Sequence, residues 1–136
     1  MKILNLHCTE FDYEAIKETP VAEHGGTMKA GYDNVLVCFT CYEKRDESRH
    51  EEILKAFVEN TKIDVGRIKP EIVLIYPYAH LSKSLGSAKL AKQMLKDMEE
   101  ALKKEGITVA RSPFGWYKKF NLSCKGHPLA EGYREY

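Results

Sequence analysis

Apolar positions follow two periods along the chain, and the switches between them lay out the elements. Residues 2–8 alternate, with Leu4, Leu6 and Cys8 on one face, which predicts a strand. Residues 34–42 (NVLVCFTCY) form a strongly apolar strand. Residues 71–78 (EIVLIYPY) are a near-continuous apolar run, as in a central strand covered on both faces, and Pro77 sets the end of regular pairing. Helical spacing enters at Ser48, where Glu51 three residues on predicts a capping box. Ile53, Leu54, Phe57 and Val58 make the buried stripe of that helix. A second helix spans residues 87–105, with Leu90, Met94, Leu95, Met98 and Leu102 inward and Gly106 as its stop. Residues 107–110 and 116–124 read as strands, separated by a turn at Ser112, Pro113 and Gly115. Residues 19–33, with Pro20, Gly25, Gly26 and Gly31, read as an irregular connection. Gly126 and Pro128 end the last strand and leave a short charged tail. This order predicts an α/β or α+β fold, a mixed sheet with two helices packed on it.

Composition changes this picture little. A chain of 136 residues implies one domain, residues 1–136, that needs no disulfide or metal to fold. No apolar run approaches the ~20 residues of a membrane span. The apolar start is too short for a signal peptide, and Glu10, Asp12 and Glu14 follow it. The expected location is the cytoplasm, with Cys8, Cys38, Cys41 and Cys124 as free thiols. A formal net charge of +1 excludes whole-protein attraction to nucleic acid or membrane. Charge is nonetheless uneven. Residues 72–96 hold no acid but carry Lys83, Lys89, Lys92 and Lys96. Residues 106–130 hold none either, with Arg111, Lys118, Lys119 and Lys125. These zones are either solvated lysines or the receivers of a partner that is anionic at one end.

Three constellations could carry chemistry. Cys38 and Cys41 form a CxxC, but within a strand the odd separation sends them to opposite faces, so they read as core thiols and no metal is expected. His7, His24 and His50 stand alone, as structural or exposed residues. His80 differs, because it follows the central strand, where ligands gather in sheets of α/β character; it either contacts a substrate or caps the loop. Strand parity puts Trp116, Lys118, Phe120, Leu122 and Cys124 on one face. Lys118 thus interrupts an apolar face. It must snorkel, face a ligand, or pair with a carboxylate, for which Glu131 is the candidate. There is no phosphate-binding Gly-rich loop and no nucleophile elbow.

Residues 76–82 (YPYAHLS) and 113–131 (PFGWYKKFNLSCKGHPLAE), with the MKILNLHC start and the VLVCFTCYEK strand, resemble the N-terminal editing domain of archaeal threonyl-tRNA synthetases along essentially the whole chain. The resemblance implies a D-aminoacyl-tRNA deacylase-like fold, a homodimer, and a domain that is part of a longer synthetase. It implies hydrolysis of the ester in L-seryl-tRNA(Thr) while L-threonyl-tRNA(Thr) is spared. A missing methyl changes binding by only ~1–3 kcal/mol, so a synthetic site alone passes too much serine.

By the same resemblance, His80, Tyr117, Lys118 and Glu131 line the pocket, and Ala79, Pro77, Phe114 and Gly115 supply walls and backbone contacts. Cys124 and His127 match the motif too. Tyr42 and Glu43 align near the bound nucleotide, Tyr42 standing where a smaller aliphatic residue is expected. The implied chemistry is attack by water, with no cofactor, no metal and no covalent intermediate. Lys118 and backbone amides would stabilise the oxyanion, His80 would bind a hydroxyl and help place the water, Tyr117 would contact the terminal adenosine, and Glu131 would hold Lys118 or the seryl amino group. A standalone D-aminoacyl-tRNA deacylase and a non-catalytic acceptor-end binding or dimerisation module remain as alternatives.

Overall fold

The first strand does not stop at Cys8. In the computed structural model, which describes residues 1–136, β1 runs over Lys2–Glu18. Alternation continues past the acids: Phe11 and Tyr13 are buried while Glu10 and Asp12 face solvent. The connection that follows is correspondingly shorter, because β2 (Lys29–Cys41) begins early and pairs antiparallel with β1 from Glu14↔Lys29 to Lys2↔Cys41. Helix α1 (His50–Ile68) starts at Arg49, and no side chain caps it. The expected capping box at Ser48 and Glu51 is absent; the box forms instead around the short 3-10 turn Lys44–Asp46, between Glu43 and Asp46. Strand β3 (Ile72–Pro77) lies parallel to β2, and β4 (Val109–Arg111) lies parallel to β3. Helix α2 (Ala88–Lys104) connects them, buries Ala91 rather than Leu90, and ends at Gly106 with φ +76°.

Strand β5 (Trp116–Cys124) pairs antiparallel with the outer half of β1. The charged tail is not irregular: Glu131–Glu135 form β6, which pairs with residues 2–6 of β1. The sheet is therefore mixed, in the order β4-β3-β2-β1-β5, with β6 beside β1.

Each face of the sheet carries a core. On one face Ile3, Leu36, Val73 and Ile75 pack against Ile53 and Phe57 of α1 and Met94, Met98 and Leu102 of α2. On the other, Phe11, Tyr13, Phe39 and Tyr76 cluster edge to face, and Phe120 from β5 stacks on Phe11 at 5.7 Å. The aromatic core thus anchors β5 above the ends of β2 and β3. No helix is long and apolar enough to cross a membrane, and all four cysteines are free.

Candidate active site

Because β2 and β3 are parallel, Thr40 lies beside Pro77 and both strands deliver their carboxyl ends to one edge. A cavity of about 540 Å³ opens there. Thr40, Cys41 and Tyr42 form one wall; Pro77, Ala79 and His80 form another. The Tyr78 amide closes the ladder on Thr40 O at 2.8 Å, and the 3-10 turn Ala79–Leu81 then carries His80 out to the rim. His80 is exposed, packs edge to face on Tyr78 at 5.1 Å, and neither ring nitrogen has a protein partner within hydrogen-bond distance.

The roof comes from the far end of the chain: Phe114, Gly115, Trp116, Tyr117 and Lys118. Gly115 has φ +76°, and a Cβ there would lie 2.7 Å from the Val21 carbonyl oxygen, so this turn closes only on glycine. Lys118 points inward with Trp116 and Phe120, as parity predicts. Its Nζ donates to Pro113 O at 2.8 Å and stands 4.9 Å from the centre of the Tyr76 ring. Its next acceptor, Trp116 O, is at 3.5 Å, so the ammonium has donor capacity left. Burial without a partner anion pushes its pKa down to about 8. Tyr117 is 64% exposed at the cavity mouth.

Tyr42 has room for its ring because Gly86 lies flat against it; a Cβ at 86 would meet the ring at 2.7 Å. Its hydroxyl is buried without a partner. Glu43 stands one layer behind the cavity. Its Oε1 accepts the Ser82 hydroxyl at 2.6 Å, which ties down the segment after His80. Burial opposes its charge, but the Ser82 bond, the α-amino group of Met1, Arg45 and Lys2 outweigh burial and hold its carboxyl below the ordinary range.

Glu131, Cys124 and His127 do not join the cavity. Lys118 pairs with Ala15 of β1 and Glu131 with Leu6, nine residues away, or about 30 Å along the strand at ~3.3 Å per residue. Within one chain Glu131 therefore cannot hold Lys118, whose acceptors are backbone carbonyls. It lines a smaller polar cavity of about 140 Å³ with Asn5, Asp64 and Arg134. His127 and His7, far from isolated, meet at 2.7 Å. Leu129 N–H donates to His127 Nδ1, so His127 Nε2–H donates to His7 Nδ1, and His7 Nε2–H donates to Asn34 Oδ1 at 2.8 Å. Asn34, at φ +44°, also receives Lys125 Nζ at 2.7 Å. Cys124 Sγ lies near the carbonyls of Lys125 and Ala130.

The two basic zones separate in the same way. In the second, Arg111 pairs with Glu23 and Glu99, Lys119 with Glu14, and Lys125 with Asn34. In the first, Lys96 approaches Glu23 at 3.9 Å, whereas Lys83, Lys89 and Lys92 have no carboxylate within 4.0 Å.

Sequence reasoning did not find Thr19, Val21, Leu85 or Gly86, which also line the cavity. They lie in connections, and only contact with Gly115 and Tyr42 marks them.

Residues 1–136 match a family described as the archaea-specific editing domain of threonyl-tRNA synthetase. The chain is 47% identical over 133 residues to a threonine--tRNA ligase of Methanobrevibacter smithii and 42% identical over 131 residues to one of Methanocaldococcus jannaschii. Both alignments cover 96% of this chain but 22% and 21% of the relatives, so the chain spans about a fifth of their length. Among solved structures, the c-Myc DNA unwinding element binding protein aligns with a TM-score of 0.65 at 11% identity, over 100% of this chain and 99% of that one. At that identity the likeness shows the fold alone, the D-aminoacyl-tRNA deacylase-like fold.

Proposed function

The chain belongs to the archaea-specific editing domains of threonyl-tRNA synthetase, and from that premise we propose that its cavity hydrolyses the ester of L-seryl-tRNA(Thr) and spares L-threonyl-tRNA(Thr). One observation carries the reading. Lys118 presents an ammonium with spare donor capacity to a largely apolar cavity, anchored by a carbonyl and unmatched by any carboxylate. Such a group stabilises negative charge that develops during reaction.

The seryl-adenosine end of the tRNA enters at Tyr117, whose exposed ring contacts the adenosine. Water attacks the seryl carbonyl carbon. The carbonyl π electrons move to oxygen, and Lys118, with the Gly115 amide, which has no acceptor in the chain, binds the oxyanion. Collapse of this intermediate breaks the ester C–O bond and expels the ribose oxygen, which takes up the proton that the attacking water gives up, and serine leaves as the free acid. His80, with both ring nitrogens free, holds the water or a ribose hydroxyl.

The hydroxyls and thiol lining the cavity favour water over a side-chain nucleophile. Thr19 Oγ1 donates to Gly115 O at 2.7 Å, Thr40 Oγ1 donates to Cys38 O at 2.9 Å, and Cys41 Sγ donates to Ala79 O at 3.6 Å. Burial, reinforced by the Glu43 charge, raises the Cys41 pKa and keeps it a thiol.

The partners of this reading are the acceptor end of tRNA(Thr), the remainder of a synthetase, and a second copy of the chain. Strand β5 pairs on one side only, which leaves an edge for such a copy. A folded Lys118→Met protein should deacylate seryl-tRNA(Thr) about 10²–10³-fold more slowly, the usual cost of losing an oxyanion donor. The parental rate in that variant would overturn the reading.

A further inference from the structure

The turn that roofs the cavity is held by a side chain outside both motifs. Glu23 lies in the connection between β1 and β2, its side chain only 13% exposed. Arg111 grips it as a fork, Nη1 to Oε2 at 2.5 Å and Nη2 to Oε1 at 3.0 Å. Arg111 Nε in turn donates to Glu99 of α2 at 3.1 Å. The carboxylate is therefore fixed from a strand and a helix at once. Glu23 Oε2 also accepts the Phe114 amide at 3.3 Å. The Glu23 amide donates to Phe114 O at 2.9 Å, and Glu23 O accepts the Trp116 indole N–H at 2.8 Å. These bonds grip the turn on both sides of Gly115, and the same turn supplies Pro113 O to Lys118. Burial opposes the charge on Glu23, but Arg111 and the Phe114 amide outweigh it and hold the carboxyl below its usual range.

We propose that Glu23 is a positioning residue for Lys118: locked by Arg111, its carboxylate fixes the turn at residues 113–116 so that the Pro113 carbonyl holds the ammonium against the cavity. The link is mechanical, since Glu23 does not touch Lys118 and its charge is not among the causes that move the lysine. The consequence for catalysis rests on the hydrolytic reading above.

Two readouts test it, one of them free of substrate. In the full chain, the Lys118 side chain is followed by NMR titration after isotopic labelling of lysine. The parent should titrate near 8. Glu23→Ala should move the midpoint upward as water reaches Nζ, with Glu23→Gln, which keeps an acceptor for the Phe114 amide, shifting less. Asp64→Ala removes a different carboxylate–Arg pair, with Arg134, and should leave the midpoint in place while lowering the melting temperature comparably. In seryl-tRNA(Thr) hydrolysis, Glu23→Ala should lower kcat about tenfold with KM within about twofold, and should cost less than about twofold once Lys118 is Met. An unmoved Lys118 midpoint in a folded Glu23→Ala or Glu23→Gln protein overturns the proposal, as does a full tenfold loss that persists without Lys118. A parent chain that hydrolyses nothing would defeat the hydrolytic reading alone; the titration still decides the role of Glu23.

Discussion

Lys118 costs the fold something, because its ammonium is buried with no partner anion. Burial lowers its pKa to about 8 from the ordinary 10.5. Between those values the unfolded chain binds the extra proton, so stability rises with pH across that window. At pH 7 the native state carries a poorly solvated charge, and Lys118→Met should therefore melt at a higher temperature than the parent in a thermal scan at that pH, even as activity is lost. Hydrolysis should fall as pH rises through about 8, because the ammonium is the form that binds an oxyanion. In Lys118→Arg, whose group stays charged beyond 12, that alkaline limb should vanish from the pH–rate profile at whatever residual rate remains. Lys118 was legible because strand parity leaves a lysine on an apolar face. Glu23 was not, because its meaning lies in Arg111 and Phe114, distant in sequence and brought together only by the fold. Within one chain the expected pairing of Glu131 with Lys118 is out of reach for the reverse reason: both belong to one motif, but the chain runs on along the same strand, from Ala15 opposite Lys118 to Leu6 opposite Glu131.

That run from β5 to β6 along β1 depends on an element-scale device. Residues 125–130 bulge out of the β1 edge at His7, with the Lys125 amide donating to His7 O and the His7 amide donating to Ala130 O. The His127–His7–Asn34 relay fixes that bulge while His7 is neutral, because His7 Nδ1 must accept from His127. Burial, then the charges of Lys125 and His127, lower the His7 pKa below its ordinary 6.5 against the opposing pull of Asn34. The unfolded chain takes up the proton first as pH falls below about 6.5, so the bulge loses stability from there downward. Exchange of the Lys125 amide, corrected for the intrinsic rate, should be faster at pH 5 than at pH 7, and replacing His127 with Gln should reduce that pH dependence. The helices, β3 and β5 were readable from period and from Gly106 and Pro77. The ends of β1 were not, because acids at alternate positions read as a boundary when they are the solvent face of a longer strand. The β6 pairing was hidden too, since its charged residues gain a partner only from β1.

At the scale of the whole molecule, parallel β2 and β3 bring His80 to one edge, and the aromatic core swings β5 and Lys118 over it. Charge around that edge is narrower than the sequence pattern suggested, because Arg111, Lys119 and Lys125 are engaged within the chain. Lys83, Lys89 and Lys92 have no carboxylate within 4.0 Å and are the lysines we propose to receive acceptor-stem phosphates. Changing Lys83 and Lys89 to Glu should weaken tRNA binding and flatten the slope of log affinity against log salt by about one to two units, measured by titration at several salt concentrations. In the proposed function this cavity discriminates a seryl ester from a threonyl one and destroys the former with water. Side-by-side deacylation of L-seryl-, L-threonyl- and D-aminoacyl-tRNA by the parent chain tests it most directly. Serine should be released rapidly, with threonyl-tRNA left largely intact. Release of D-amino acids alone, or of nothing, would contradict it.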